Sequence, residues 1–187
     1  MLQFVTLELN RFFRVKFQLN ENIVELSELT QPDGTPVVGQ GNRVVITLLN
    51  IEEERVRSSM QNYASGSGNS SLVFPPVYLN LYLIICAYCP GKNYAESLKF
   101  IAGVLAFFQA NPVMHRTEFP DMPADSEKVI FEMLKLNYQD MSYIWGMLGA
   151  KHLPSVGYKM RMLAVDEKQI REQRPDVSGV APDLSAS

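Results

Sequence analysis

The sequence has little of several residue types from which common functional sites are built. Of its 187 residues, two are cysteine, two are histidine and one is tryptophan. Two cysteines cannot make a disulfide framework, so the chain is expected to be cytoplasmic. Cys86 and Cys89 have the spacing of half a zinc site, but the sequence has neither a second such pair nor a paired-histidine motif. We interpret both thiols as small packed side chains and predict no metal and no cofactor.

Long apolar runs and an excess of positive charge are also missing. The most apolar stretches, 77–88 and 100–108, are shorter than the ~18 residues of a membrane span. The residues after Met1 do not form a signal-peptide pattern, so export by that route is not expected. Seventeen basic and twenty acidic residues give a net charge of -3, which opposes binding to a phosphate backbone. We therefore predict neither a membrane nor a nucleic acid as a partner.

Catalytic motifs are equally scarce. The Gly66–Gly68 segment is not followed by the Lys-Ser/Thr of a phosphate-binding loop, so it is interpreted as a flexible loop. His152 lies near Ser155, but no nucleophile elbow surrounds that serine, and a surface histidine is the better interpretation. The sequence therefore predicts no catalytic residues and no enzyme activity.

The hydrophobic pattern predicts a fold of the α/β (α+β) class, with a mixed, mainly antiparallel sheet and helices packed against it. We assign one domain to 1–166 and a flexible C-terminal tail to 167–187, where the sequence becomes polar. The Ser- and Gly-rich stretch 65–71 is predicted to be a mobile loop. The predicted helices cover about 2–14, 94–110 and 138–148, and the predicted strands cover 25–29, 43–49, 77–88, 129–136 and 155–165.

The predicted helix over 94–110 is apolar on two sides. One stripe includes Tyr94, Leu98 and Leu105, and a second includes Phe100 and Phe107. A helix of this kind needs two partners, so we expect it to contact its own sheet and something else.

A run of charge after the second predicted strand is the most unusual local feature. It is either a solvated strand end or an ion-pair patch between subunits, because clustered acids repel one another unless basic groups pair with them. Two residues of the last strand are candidate basic partners, and the single tryptophan has a core or interface role rather than a ligand-stacking one. The candidate interface residues are Glu52, Glu53, Glu54, Arg55, Trp145, Lys159 and Arg161.

Five segments, taken in order, resemble a known family. The segments are 45–55, 75–82, 107–112, Trp145 and 153–161. Their combination resembles the N-terminal domain of the tail-cap, or tail-terminator, proteins of phage-tail-like extracellular contractile injection systems. The resemblance covers most of 1–166.

This resemblance implies a structural role without enzyme activity. It implies a homohexameric ring that closes the inner tube and sheath at the end away from the baseplate, with the sheath and tube proteins as partners. Such a protein assembles in the cytoplasm as part of a particle that can be released. A non-enzymatic scaffold or adaptor, or a small enzyme, are the alternatives, and the number of copies measured by native mass spectrometry distinguishes them from a cap.

Overall fold

The computed structural model describes residues 1–31, 35, 37, 41–54, 63–66, 69–72, 77–91, 93–124, 126–164 and 173–175. In chain order the elements are α1 (Leu2–Phe17), β1 (Val24–Leu26), β2 (Arg43–Glu54), β3 (Tyr63–Gly66), β4 (Asn69–Leu72), β5 (Val77–Tyr88), α2 (Tyr94–Ala110), β6 (Val113–His115), β7 (Lys128–Met133), α3 (Tyr138–Leu148), β8 (Ser155–Ala164) and β9 (Gln173–Pro175).

Six strands form the main sheet, in the order β1-β2-β5-β8-β7-β6. The pair β1–β2 is parallel, and the other neighbours in this sheet are antiparallel. Within the described ranges, three helices accompany the sheet. The predicted fold class, a mixed and mainly antiparallel sheet with helices against it, is confirmed. The predicted strand 77–88 is also confirmed as β5, which has neighbours on both edges.

Helices α1 and α2 cover one face of the main sheet, which we call the core face. Phe13 of α1 and Phe100 of α2 stack with ring centroids 6.0 Å apart, and both rings are buried with Ile85 of β5. The two helices approach closely at Gly103, where an added Cβ would lie 2.9 Å from the Phe17 ring. The absence of a side chain at this position therefore lets the two helices come together.

Asn10 is a polar residue on the buried side of α1. The residue is 4% exposed. Its Nδ2 donates to the Val24 carbonyl at 2.8 Å, and its Oδ1 accepts from the Val24 N–H at 2.9 Å. A buried amide is tolerated when its groups are bonded, and here it pairs with backbone groups of the edge strand β1.

Helix α3 covers part of the opposite face of the sheet, which we call the outer face. Trp145 of α3 packs in a small cluster with Leu29, Val45 of β2 and Cys86 of β5. Cys86 follows Ile85 of the core face directly, and successive strand residues point to opposite sides. The two helical layers therefore lie on opposite faces of one sheet.

The ends of α3 agree with the sequence prediction. The Asn137 side chain accepts from the backbone N–H of Gln139 and Asp140, and the Asp140 carboxylate accepts from the Asn137 N–H. Gly149 ends the helix in the left-handed conformation, with φ of 63°. Such a capping box and C-terminal glycine satisfy backbone groups that the helix itself leaves unpaired.

The N-terminal helix is longer than predicted. The predicted helix ends near 14, where apolar residues alternate from Phe13 to Leu19 as in an extended chain, but α1 continues to Phe17. Phe13 and Phe17 are four residues apart, so both reach the α2 side of the helix, while Val15 is 83% exposed. Helical spacing of two large rings therefore outweighs the short alternating pattern.

Three further assignments change in the structure. Strand β2 extends to Glu54 instead of ending near 49, because Glu52–Glu54 pair with β5 through backbone groups whatever their side chains. Much of the predicted loop 65–71 lies in the hairpin β3–β4, and 67–68 lie outside the described residues. The short strand β6 was not predicted.

Part of the predicted tail also has a described structure. Residues 173–175 form β9, which pairs with β4 in a second sheet of order β3-β4-β9. The rest of 167–187 lies outside the described residues, and the domain boundary at 166 stays a prediction.

Candidate functional site

A β-bulge decides on which side of the sheet the acidic run lies. In the β2–β5 register, Leu48 is opposite Leu83 and Asn50 is opposite Tyr82, so one β2 residue, Leu49, has no partner. Strict alternation would place the side chains of Glu52 and Glu54 on the core face, with Ile46. The extra residue moves both side chains to the outer face.

On the outer face Glu54 binds an arginine of β8. Arg161 donates from Nη2 to Glu54 Oε1 at 2.6 Å and from Nε to Oε2 at 3.1 Å. Its Nη1 is 3.5 Å from Oε1 of Glu132 on β7. The hydrogen bonds to Glu54 and the nearby negative charge raise the pKa of Arg161. The ion pair is bidentate and half-buried, and bidentate pairing is the geometry in which arginine binds a carboxylate most strongly.

Glu52 of the same run accepts a hydrogen bond from a tyrosine. The Tyr82 hydroxyl donates to Glu52 Oε2 at 2.8 Å, and Asn50 Nδ2 donates to Oε1 at 3.3 Å. The hydrogen bond to Glu52 raises the pKa of Tyr82, with a smaller contribution from burial, because ionisation would place two anions side by side. We call the set Glu52, Glu54, Tyr82, Glu132, Lys159 and Arg161 the charged patch.

The structure does not bring all predicted site residues together. Glu53 is opposite Leu79 and therefore points to the core face, away from Glu52 and Glu54. Within the described part of the chain, neither Glu53 nor Lys159 has an ion pair or side-chain hydrogen bond. Arg55 lies outside the described residues. Of the two predicted basic partners, Lys159 and Arg161, only Arg161 binds an acid of the run among the described residues. That acid is Glu54 of the same chain.

The charged patch also contains residues that were not predicted from the sequence. Glu132 forms a second ion pair with Arg161, and the Tyr82 hydroxyl donates a hydrogen bond to Glu52. Asn80, opposite Arg161, is 6% exposed, and its Oδ1 has no partner among the described residues. The sequence of β5 carried a sign of this surface, because its outer-face positions change from apolar to polar toward Tyr78.

A groove of about 370 Å³ lies beside the charged patch. It is lined by Glu54, Tyr78, Glu127, Lys128, Ile130, Arg161 and Met162. The lining mixes charged groups of both signs with apolar surface.

Trp145 and the cysteines belong to the packed part of the chain. Trp145 is 6% exposed, so any role in an interface is to hold α3 in place. Burial raises the pKa of Cys86 to about 12, which keeps the thiol protonated and unreactive at neutral pH. Cys86 packs under α3 while Cys89 packs with the core-face cluster, so the two sulfurs lie on different sides of the sheet.

Among the described residues, no three His, Cys, Asp or Glu side chains are grouped so that they could hold a metal ion. Within the same residues, no helix has the length and apolar character of a membrane span.

Comparison with known proteins identifies relatives of this fold. The family model described as Pvc16 N-terminal domain matches residues 3–179. Among curated proteins, none matches the chain significantly.

Solved structures that are similar to the chain include a terminator and a cap. One is the sheath/tube terminator, in the extended state, of the extracellular contractile injection system PVC. It has a TM-score of 0.57 and 16% identity, over 97% of this chain and 63% of that chain. The other is the tube-terminating cap of the anti-feeding prophage, with a TM-score of 0.60 and 15% identity, over 95% of this chain and 59% of that chain. The present chain thus spans about three fifths of the length of each.

Proposed function

The chain belongs to the Pvc16 N-terminal domain family, and from that premise we propose that it is a structural cap of a contractile injection particle. The cap closes the inner tube and sheath at the end away from the baseplate. The observation that carries this proposal is the family match over 3–179, and the likeness in fold to a sheath/tube terminator and a tube-terminating cap supports it.

The proposed assembly is a homohexameric ring whose further partners are the sheath and inner-tube proteins. The ring forms in the cytoplasm and remains part of the particle, and it needs no enzyme activity, nucleic acid or membrane. A closed ring is the arrangement in which a head-to-tail interface leaves no free patches. We propose the domain 1–166 as the unit that forms it.

The experiment that tests the cap is an assembly and end-binding assay. Native mass spectrometry of the full chain should give six copies. Electron microscopy of particles that lack a cap should show the added chain only at the end away from the baseplate. A monomer at all concentrations, or binding along the sides of the sheath, would contradict the proposal.

The acidic run is the proposed contact between the ring and its neighbours. Glu54 and Arg161 already bind each other, so their pair shapes the surface, whereas Glu53 and Lys159 are charges available to a partner. If Glu53 meets a basic group across a partly dry contact, its loss leaves that group unmatched and costs about 2–5 kcal/mol of binding.

Glu53→Gln tests this contact. We expect weaker ring assembly or end binding, with the largest difference from the unmodified chain at low salt, where charges are least screened. Glu118→Gln, which changes an exposed acid after β6, is the matched control and should bind normally. Normal assembly and capping by Glu53→Gln would show that Glu53 is not part of the interface.

A further inference from the structure

Two polar side chains on the outer face of the sheet are unsatisfied at the charged patch. Asn80 is 6% exposed, and its Oδ1 accepts no hydrogen bond from any described residue. Lys159 has neither an ion pair nor a side-chain hydrogen bond within the same part of the chain. A buried acceptor without a donor costs free energy, so an arrangement that supplies a donor to Asn80 is stabilised by that bond.

The strand register places each of these groups opposite a group that is bound elsewhere. Asn80 of β5 is opposite Arg161 of β8. Lys159 of β8 is opposite Glu132 of β7, and side chains in such positions are close enough to pair. Arg161 instead reaches across β5 to Glu54 of β2, and it also binds Glu132. The diagonal reach of one arginine therefore leaves both Asn80 and Lys159 without a partner.

A second arrangement of the same side chains satisfies both groups. If Arg161 turns from Glu54 to Asn80, its guanidinium supplies the donor that Asn80 lacks. Glu132 is then free to pair with Lys159, which lies opposite it. The side chains of Arg161 and Glu54 are 36% and 27% exposed, and ion pairs in contact with water are weak enough to exchange. The second arrangement leaves the Glu54 carboxylate without a cation.

Release of Glu54 changes the charge of the groove of about 370 Å³ that this residue lines. With Arg161 in place, the lining holds two acids and two bases. Once Arg161 has turned away, Glu54 and Glu127 are matched by Lys128 alone, and the ring of Tyr78 lies in the same lining. A negative groove with an aromatic wall suits a guanidinium, which pairs with carboxylates through two bonds and packs on aromatic rings.

We propose that Glu54 binds an arginine side chain of a neighbouring protein, and that Arg161 occupies this site until that arginine arrives. Binding moves Arg161 to Asn80 and pairs Lys159 with Glu132. The present bidentate bond shows that the Glu54 carboxylate accepts the shape of a guanidinium. This inference does not depend on the number of subunits in the proposed ring.

The test uses two soluble probes, acetyl-arginine amide and acetyl-citrulline amide. They are nearly equal in shape, but citrulline has a neutral urea in place of the guanidinium. Labelled methyl groups of methionine and isoleucine in the full chain report occupancy by nuclear magnetic resonance, because Met162 and Ile130 line the groove. We expect the arginine probe to shift both methyl signals until saturation and the citrulline probe to shift neither. Equal effects of the two probes would overturn the inference.

Arg161→Met distinguishes this exchange from an ion pair that only supports the fold. It removes the side chain that competes for Glu54, so the dissociation constant of the arginine probe should fall about tenfold, as for an open arrangement that is populated about one tenth of the time. Asn80→Ala removes the group to which Arg161 turns and should raise the dissociation constant about fivefold, the loss expected from one ordinary hydrogen bond. In the Arg161→Met background, Asn80→Ala should have no effect.

Two acids provide the remaining comparison. Glu54→Gln should abolish binding of the arginine probe, whereas Glu118→Gln, an exposed acid outside the groove, should leave binding unchanged. Circular dichroism checks that every variant folds. Weaker binding by Arg161→Met, or an equal effect of Asn80→Ala with and without Arg161, would contradict the exchange.

The outcomes also separate this inference from the proposed function. A ring of six subunits that binds neither probe would leave the cap standing and make the Glu54 site wrong. A monomer that binds the arginine probe with the expected variant effects would support the Glu54 site and contradict the ring.

Discussion

Strands β2 and β5 run through both ends of the outer face, but the two ends are built in different ways. At one end Val45 and Cys86 lie under Trp145 of α3, and all three are buried. At the other end Glu54 and Arg161 remain partly exposed, and none of the helices in the described part of the chain covers them. We call these the covered end and the charged end.

The difference follows from access to water. Under α3 a charged side chain would lose its hydration without gaining a partner, so the strands supply apolar groups there. At the charged end water still reaches the carboxylates, and ion pairs can form without the full cost of burial. The covered end therefore supports the fold through buried apolar contacts, whereas the ion pairs of the charged end stay in contact with water.

The largest expected effect is at the covered end. Trp145→Ala removes the central ring of its cluster and should lower the free energy of unfolding by about 3–5 kcal/mol, the range for large-to-small changes of a buried aromatic. Chemical denaturation measures the change. Tyr143→Ala, two residues away on the outward side of α3, is the control and should change stability by about 0.5 kcal/mol or less. Similar losses from both variants would mean that α3 is not held by its buried side.

A smaller effect is expected at the charged end. A double-mutant cycle of Glu54→Gln and Arg161→Met should give a coupling energy of about 1 kcal/mol, because both side chains are partly exposed. The coupling should decrease at high salt. The exposed pair Glu96–Lys99 within α2 is the comparison and should give about 0.3–0.5 kcal/mol. No coupling between Glu54 and Arg161 would show that their contact contributes nothing to the fold.

The smallest effect concerns the ionisation of Tyr82. Since the fold favours the protonated phenol, any stability from this group is fully present below pH ~10, the ordinary tyrosine value, and is lost as the pH rises through the raised folded pKa. Glu52→Gln removes the main cause, so the Tyr82 pKa should fall toward its ordinary value. The difference between the ultraviolet titrations with and without Tyr82→Phe isolates this residue. An unchanged Tyr82 pKa in Glu52→Gln would exclude the hydrogen bond as the cause.

The sequence predicted helices and strands well where the residues that determine an element lie within one short segment. The spacing of apolar residues located α2 and α3, including the bounds of α3 at 138–148. The pattern of 77–88 predicted a strand, and β5 covers these residues with the same bounds. In these cases the backbone bonds and the periodic side chains involve residues close in sequence, so the sequence is sufficient.

The side chains that meet at the charged patch depended on the tertiary structure. The sequence determined that Glu52–Glu54 are acidic, that they follow an apolar strand, and that Arg161 and Trp145 lie on later elements. Only the folded chain decided that the bulge at Leu49 turns Glu52 and Glu54 to the outer face. The physical reason is that side chains of a strand alternate between its two faces, so a single extra residue moves every later side chain to the opposite face. Which residue is extra depends on the pairing of β2 with β5, about thirty positions away in the sequence.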